Sequence, residues 1–356
     1  MKMAQSINEN QDVPDHNGST TSSIGAGWPP REASFYRMKG FYTPSIIDSS
    51  HKFREFMREF KEVCYNLSEN KLSRVSLRGI ISKRLLIEVL PKIRDFLEAI
   101  IDLDGAEDFS ENLLFYMGYN TPNRMPKESE IEHYRRNVLE ARLAKPKSCL
   151  AIIDRALKQE YSLEIISYSN MRQNQRECVL NQMTGLYLRF GWKTKDVEEI
   201  LSSKNNIIAV AQKEKEIVSA GIAEIARMDI GGEAFRIAEI TEAATLEEHA
   251  CKGLYSAVST FLISEIYMRS SRKEFLAGRA DLVYGECNGN ALGVLKTSSL
   301  QGRYFSSETT SNYGLDGRGI LPQHVPISGA PRSTPFNDLF PTYLTTKNLN
   351  RFSQHD

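Results

Sequence analysis

Residues 235–268 read FRIAEITEAATLEEHACKGLYSAVSTFLISEIYM, and the pattern changes twice along them. Residues 235–244 alternate and are rich in Ile, Ala and Thr, which suits a pleated, half-buried strand. From Leu254 onward, Leu254, Val258, Phe261, Leu262 and Ile266 recur at three- and four-residue steps, the spacing of one helix face. Between the two lies a turn holding Lys252 and Gly253. Its glycine lets backbone N–H groups approach a ligand closely, at the positive end of the helix dipole. Such a turn suits a phosphate, although most strand–glycine–helix units are only structural.

The surrounding texture is alternating strand and helix from residue 162 on. Residues 163–168 predict a strand and 177–190 a helix. Residues 207–212, 217–228 and 235–244 predict three successive strands. The turn at 213–216 joins the first two, and the turn at 229–232, with its Gly-Gly pair, fits a hairpin between the second and third. After the helix from Leu254, residues 282–286 predict a strand and 288–300 a helix. The Pro- and Thr-rich stretch after Gly329 carries Phe336, Leu339, Phe340 and Tyr343, which are able to pack back onto the body.

Upstream the reading is mainly helical. Residues 1–33 are rich in Asn, Ser, Asp and Gly and predict a mobile tail. Phe53, Phe56, Met57 and Phe60 mark one amphipathic helix, residues 80–101 a longer one bent near Pro91, and residues 131–144 a third. Residues 118–126 predict a loop from their Gly, Asn and Pro content. The organisation expected is a tail (1–33), a helical accessory region (34–158), a mixed α/β domain (159–330) and a C-terminal tail (331–356).

Composition narrows the function classes. The 356 residues suffice for two domains, and 45 basic residues balance 45 acidic ones, so no global field favours nucleic acid. No apolar run approaches the ~20 residues that span a bilayer, and the N-terminus lacks the apolar core of a secretory signal. Five cysteines (Cys64, Cys149, Cys178, Cys251, Cys287) are scattered without C-x-x-C spacing, which predicts reduced thiols in a cytoplasmic protein. Neither they nor the six histidines form a metal-ligand pattern.

The stretch Ala238-Glu239-Ile240-Thr241-Glu242-Ala243-Ala244-Thr245-Leu246, followed by Lys252-Gly253-Leu254, resembles the acyl-CoA signature of the GNAT N-acetyltransferase superfamily. More narrowly it is similar to the β-lysine N-acetyltransferase branch, with self-protecting acetyltransferases for zwittermicin-type amino antibiotics as relatives. The resemblance covers about residues 163–329. It departs from the pattern at Glu248, where Gln or Arg is usual, at Ala250, where the branch carries Arg, and at Cys251, which replaces the first glycine. The fold implied is a mixed sheet flanked by helices, preceded by the mainly helical region.

The resemblance also implies a chemistry. The pantetheine arm of acetyl-CoA would lie along Ile240, Thr241, Ala243, Ala244 and Thr245. The pyrophosphate would sit on N–H groups of His249, Ala250, Cys251, Lys252, Gly253 and Leu254. Asn288 matches a family Asn after the next strand, while Leu295 stands where a thiolate-protonating tyrosine is expected; Tyr284 and Tyr304 are other candidate acids. A protonated amine needs a base. Glu242 and Glu239 are the acidic residues of the strand, and Glu242 is favoured as base with Glu239 as anchor. Cys251 suggests a covalent route, disfavoured against direct transfer because no histidine base is evidently placed for it.

The expected activity is N-acylation, most simply acetylation, of a primary amine on a small molecule such as a diamino acid, polyamine or amino antibiotic. An acyl carrier protein as donor is an alternative suggested by the altered loop at Glu248–Gly253, and a non-catalytic module of the same fold is one suggested by Ala250, Cys251 and Leu295.

Overall fold

The computed structural model describes residues 24–25, 37–65, 74–106, 108–120, 128–188, 192–271, 280–288, 291–315, 319, 321–326 and 336–345. Its first part contains β1 (Ile24–Gly25), β2 (Arg37–Tyr42), α1 (Ser50–Tyr65), β3 (Arg74–Ser82), α2 (Lys83–Ile93), β4 (Leu97–Asp102), β5 (Asn112–Asn120), α3 (Glu128–Arg142) and α4 (Cys149–Leu157). The strands form one sheet in the order β1-β2-β3-β5-β4. The upstream region therefore joins a five-stranded sheet to its helices, a sheet the sequence did not suggest. Residues 80–101, expected as one bent helix, divide into the end of β3, α2 and β4. The cause is burial on both faces: Ile80 and Ile81 at the end of β3, and Ala99, Ile100 and Ile101 of β4, are consecutive buried apolar residues, so these segments carry no alternation to distinguish strand from helix. Pro91 lies inside α2, two residues before its end, and Ser82 caps its start by accepting from the Leu85 N–H at 3.3 Å.

The second part contains β6 (Ser162–Ile165), α5 (Gln173–Leu188), α6 (Thr194–Ser202), β7 (Asn206–Lys213), β8 (Glu216–Ile230), β9 (Glu233–Thr245), α7 (Leu254–Ser271), β10 (Leu282–Asn288), α8 (Leu292–Leu300), β11 (Tyr304–Phe305), α9 (Ser306–Ser311), β12 (Leu321–Pro326) and β13 (Phe336–Thr345). Its sheet runs β11-β13-β10-β9-β8-β7-β6, with β12 on β13. Only β9 and β10 are parallel; the other neighbours are antiparallel. Gly231 and Gly232 close the β8–β9 hairpin with φ of 64° and 95°, the twist a two-residue turn of this kind requires.

Strands β7 to β9, the long helix from Leu254, the strand after it and the short helix that follows all fall where their periodicity placed them. The C-terminal stretch goes further than packing back: it inserts as β13 beside β10, in register from Leu282↔Thr345 to Asn288↔Leu339. Of the expected tail, Ile24–Gly25 pairs with β2, and its other residues lie outside those described. Of the expected loop, 118–120 belong to β5 and 121–126 lie outside the described residues.

Three layers of core hold the molecule. α1 and α2 cover one face of the first sheet through Phe53, Phe56, Phe60, Leu86 and Val89. The other face, with Phe41, Ile80 and Tyr116, packs directly on Phe235, Leu282, Tyr284 and Tyr343 of the second sheet. On the far side of the second sheet, α7 buries Leu254, Val258, Leu262 and Ile266 against β7–β10. Burying a side chain of this size contributes about 1.5–3 kcal/mol, so these faces fix the sheet against the helix.

Candidate active site

The site begins where two strands part. β9 and β10 pair only over Ile237–Glu239 and Leu282–Tyr284. Beyond that point β9 stays on β8 as far as Thr245↔Ser219, while β10 stays on β13 as far as Asn288↔Leu339. Neither strand ends; they diverge. Among the described residues no strand pairs with the β10-facing edge of residues 240–245. Such an edge offers backbone donors and acceptors to an extended ligand.

The parting coincides with a bulge. Ala220 pairs with Ala244 and Ile222 with Thr241, so Glu242 and Ala243 together face Gly221. Glu242 adopts φ 49°, a left-handed conformation unusual for a residue other than glycine. Two hydroxyls hold it there. Tyr187 of α5 donates to the Glu242 carbonyl, and Ser219 donates to the Ala244 carbonyl at 2.9 Å. Tyr187 is itself stacked on Trp192, ring centroids 4.7 Å apart. The hydroxyls of Thr245 and Ser219 lie 2.8 Å apart.

Residues 246–253 then carry the chain to α7. A short turn at Glu247–His249 uses the His249 and Ala250 N–H groups on the Leu246 and Glu247 carbonyls. Cys251 (φ 60°) and Gly253 (φ 81°) are left-handed. Among the described residues, the N–H groups of Cys251, Lys252, Gly253 and Leu254 donate to no backbone carbonyl. They stand at the start of α7, where a helix presents its unsatisfied donors. The loop is braced from the connection between α4 and β6. Gln159 Nε2 donates to the Lys252 carbonyl at 3.1 Å, and the Tyr161 hydroxyl meets His249 Nδ1 at 2.8 Å. A Cβ on Gly253 would lie 3.6 Å from the exposed Arg155 guanidinium carbon.

The expected site residues separate into two groups. Thr241, Ala243 and Thr245 lie on the diverging strand, and exposed Ala250 and Cys251, with half-buried Lys252 and Gly253, form the loop. Ile240, Ala244 and Leu254 bury their side chains in the core, leaving only their backbone to a ligand. His249 and Ala250 spend their N–H groups within the loop. Asn288 ends β10, and its carbonyl accepts from Ala291 at 2.9 Å. Leu295 is fully buried with Cys287 and Tyr134.

Glu239 stands at the apex of the split, 7% exposed. The Tyr284 hydroxyl donates to its Oε2 at 2.6 Å, and Arg78 Nη1 donates to that hydroxyl at 2.9 Å. Arg78 comes from β3 of the other sheet and lies over the rings of Tyr116 (5.6 Å) and Phe41 (5.9 Å), a favourable cation–π arrangement. Burial, then the Glu239 charge, push the Tyr284 hydroxyl well above its ordinary value, so it remains a donor. Glu242 is half-buried in the bulge, three residues on. Nothing in the local sequence of β9 foretells Arg78, Tyr187 or Arg155; each arrives from a distant element.

No family model matches the chain, and no curated protein matches it. Solved structures do. The Escherichia coli ribosomal-protein-S18-alanine N-acetyltransferase is 13% identical, covering 52% of this chain and 94% of its own, with a TM-score of 0.36. Arabidopsis thaliana NAA60 in complex with acetyl-CoA is 10% identical over 52% of this chain and 99% of its own, TM-score 0.37. An aminoglycoside 6'-acetyltransferase type Ii is 13% identical over 52% and 96%, TM-score 0.34. The matched share is about half of this chain in each case.

Proposed function

We propose that the chain is an acyl-CoA-dependent N-acyltransferase acting on a primary amine of a small molecule, by direct transfer. The observation that carries the reading is the divergence of β9 and β10 after Glu239 and Tyr284, combined with a glycine turn that opens α7 beside the free edge of β9. An extended pantetheine arm fits that edge as an added strand would. The pyrophosphate fits the N–H groups from Cys251 to Leu254, with Lys252 and Arg155 supplying positive charge.

In the reaction the amine nitrogen attacks the thioester carbonyl, the C–N bond forms and the C–S bond breaks. The amine proton passes to a carboxylate, directly or through water. Geometry favours Glu239 over Glu242 for this role, because it stands at the apex of the split with its carboxylate already held by Tyr284. A thiolate leaving group has an ordinary pKa near 8.5 and departs without an acid, so a buried Leu295 is compatible with turnover.

Calorimetric titration of CoA and acetyl-CoA tests the reading. Micromolar binding, with Glu239→Gln abolishing turnover on diamines but retaining that binding, is the expected result. Absence of binding by either ligand sinks it. Turnover with acylated carrier protein alone would transfer the same chemistry to a different donor, a reading favoured by the departures at Glu248, Ala250 and Cys251 in the loop.

A further inference from the structure

The gap between β9 and β10 contains a cation. α8 ends in a glycine turn: the Gly302 N–H donates to Ser299, the Arg303 N–H to Ser298, and Gly302 has φ 66°. This turn reverses the chain and directs Arg303 back across the sheet. Arg303 is 5% exposed. A Cβ on Gly285 would lie 3.0 Å from Arg303 Nη1 and 3.0 Å from the Ile240 carbonyl oxygen. Ile240 and Gly285 are the residues immediately after the last β9–β10 pair. The guanidinium thus lies at the apex of the split, where a side chain at 285 would crowd it.

Its electrostatic situation is unusual. Nε and Nη2 have no hydrogen-bond partner among the described residues. Among the described residues no carboxylate forms an ion pair with it. Gln301, 2% exposed, donates to Ser259 (2.7 Å) and Thr260 (2.9 Å) of α7 and leaves its own Oε1 unpartnered. Tyr255, in the first turn of α7, is pushed up by burial and pulled back by the Arg303 charge, which places the cation beside the helix that opens the phosphate loop. A buried guanidinium with no carboxylate partner among the described residues is costly to maintain. A neutral acetyl group reaching the apex would leave that cost unchanged, whereas a carboxylate would remove it with two charge-assisted bonds.

We infer that Arg303 binds the terminal carboxylate of a short dicarboxylic acyl group, so that the preferred donor is a malonyl- or succinyl-type thioester. The inference rests on the proposed placement of acyl-CoA in this split. A carboxylate could also belong to an amino-acid acceptor, but the gap beside α7 is the donor's side of the reading above.

The test is titration of the full chain with CoA, acetyl-CoA, malonyl-CoA and succinyl-CoA, for the wild type, Arg303→Met and Arg303→Lys. One of the dicarboxylic thioesters is expected to bind at least about ten-fold tighter than acetyl-CoA, the size of one charge-assisted bond. That ratio should fall toward one in Arg303→Met and lie between in Arg303→Lys, which keeps the charge but not the fork. CoA binding with equal affinities for all thioesters overturns this inference and leaves the acyltransferase reading intact. Failure of every CoA species to bind overturns both. If Arg303→Met raises only the KM for an amino-acid acceptor, the carboxylate is the acceptor's and the inference also falls. Should Arg303→Met not fold, the wild-type ratio and Arg303→Lys still decide.

Discussion

Glu239 and Tyr284 are joined twice: they are the last backbone pair between β9 and β10, and the Tyr284 hydroxyl donates to Glu239 Oε2 at 2.6 Å. The point at which the strands part is thus pinned by a side-chain bond, and Arg78 of the other sheet ties the same hydroxyl at 2.9 Å. Tyr284→Phe removes both bonds without changing the ring. Loss of a buried hydrogen-bonded hydroxyl should cost about 1–3 kcal/mol in denaturant unfolding. Turnover should fall at least ten-fold while CoA still binds, because Glu239 loses its fixed orientation.

Ionisation of the two buried phenols, Tyr284 and Tyr116, gives a pH signature. Burial raises Tyr284 and Tyr116 well above the usual tyrosine value. A group whose folded pKa is raised contributes stability below its unfolded value, near 10, and that contribution is lost as pH rises through the folded value. Native protein should therefore show these two phenols silent in an ultraviolet titration around pH 10, appearing only on unfolding. Their free titration in the native state would contradict the burial.

Thiol chemistry reports on the loop. Cys178 and Cys251 are exposed, Cys149 and Cys287 buried, and burial pushes the half-buried Cys64 thiol up to about 12. An aromatic disulfide reagent at mild pH should titrate two thiols quickly, since the thiolate is the reacting form. CoA should slow one of them, and the protection should vanish in Cys251→Ser. Protection of Cys178 instead would move the ligand away from this loop.

Gly253 has φ 81° and faces the Arg155 guanidinium. Gly253→Asp should abolish CoA binding by placing a carboxylate on the proposed anion site, with roughly 1 kcal/mol of strain and the fold retained by circular dichroism. Arg155→Ala should weaken CoA several-fold and flatten the salt dependence of its affinity.

A structural prediction lies in the first sheet. Arg74 and Glu98 form a buried two-bond pair at 2.8 and 2.6 Å, and a Cβ on Gly118 would fall 1.9 Å from Glu98 Oε1. Glu98→Ala strands a buried guanidinium and should destabilise the chain by about 3–5 kcal/mol. Gly118→Ala should displace the same carboxylate and lower the Tm measurably, although it adds only a methyl group.

The amino-acid pattern of 206–300 was sufficient for strands, hairpins, the turn at Gly253 and the helix after it, because each depends on short-range periodicity and on backbone freedom at particular residues. It was insufficient upstream. The end of β3 and the end of β4 are runs of buried apolar residues without alternation, and both fall in the stretch 80–101 that reads as one bent helix. The loop residues Lys252 and Gly253 could be named from sequence, as could Glu239 and Glu242. That Glu239 meets Tyr284 and Arg78, that Tyr187 holds the Glu242 bulge, and that Arg303 enters the split could not. Those side chains lie 45 and 55 residues away or further, and Arg78 is 206 residues from the tyrosine it binds. Local sequence determined which segments form the strand, the glycine turn and the helix around Gly253. Only packing of one sheet against the other decided which charges were brought together, because contacts between distant residues depend on the whole fold and leave no periodic trace in either segment.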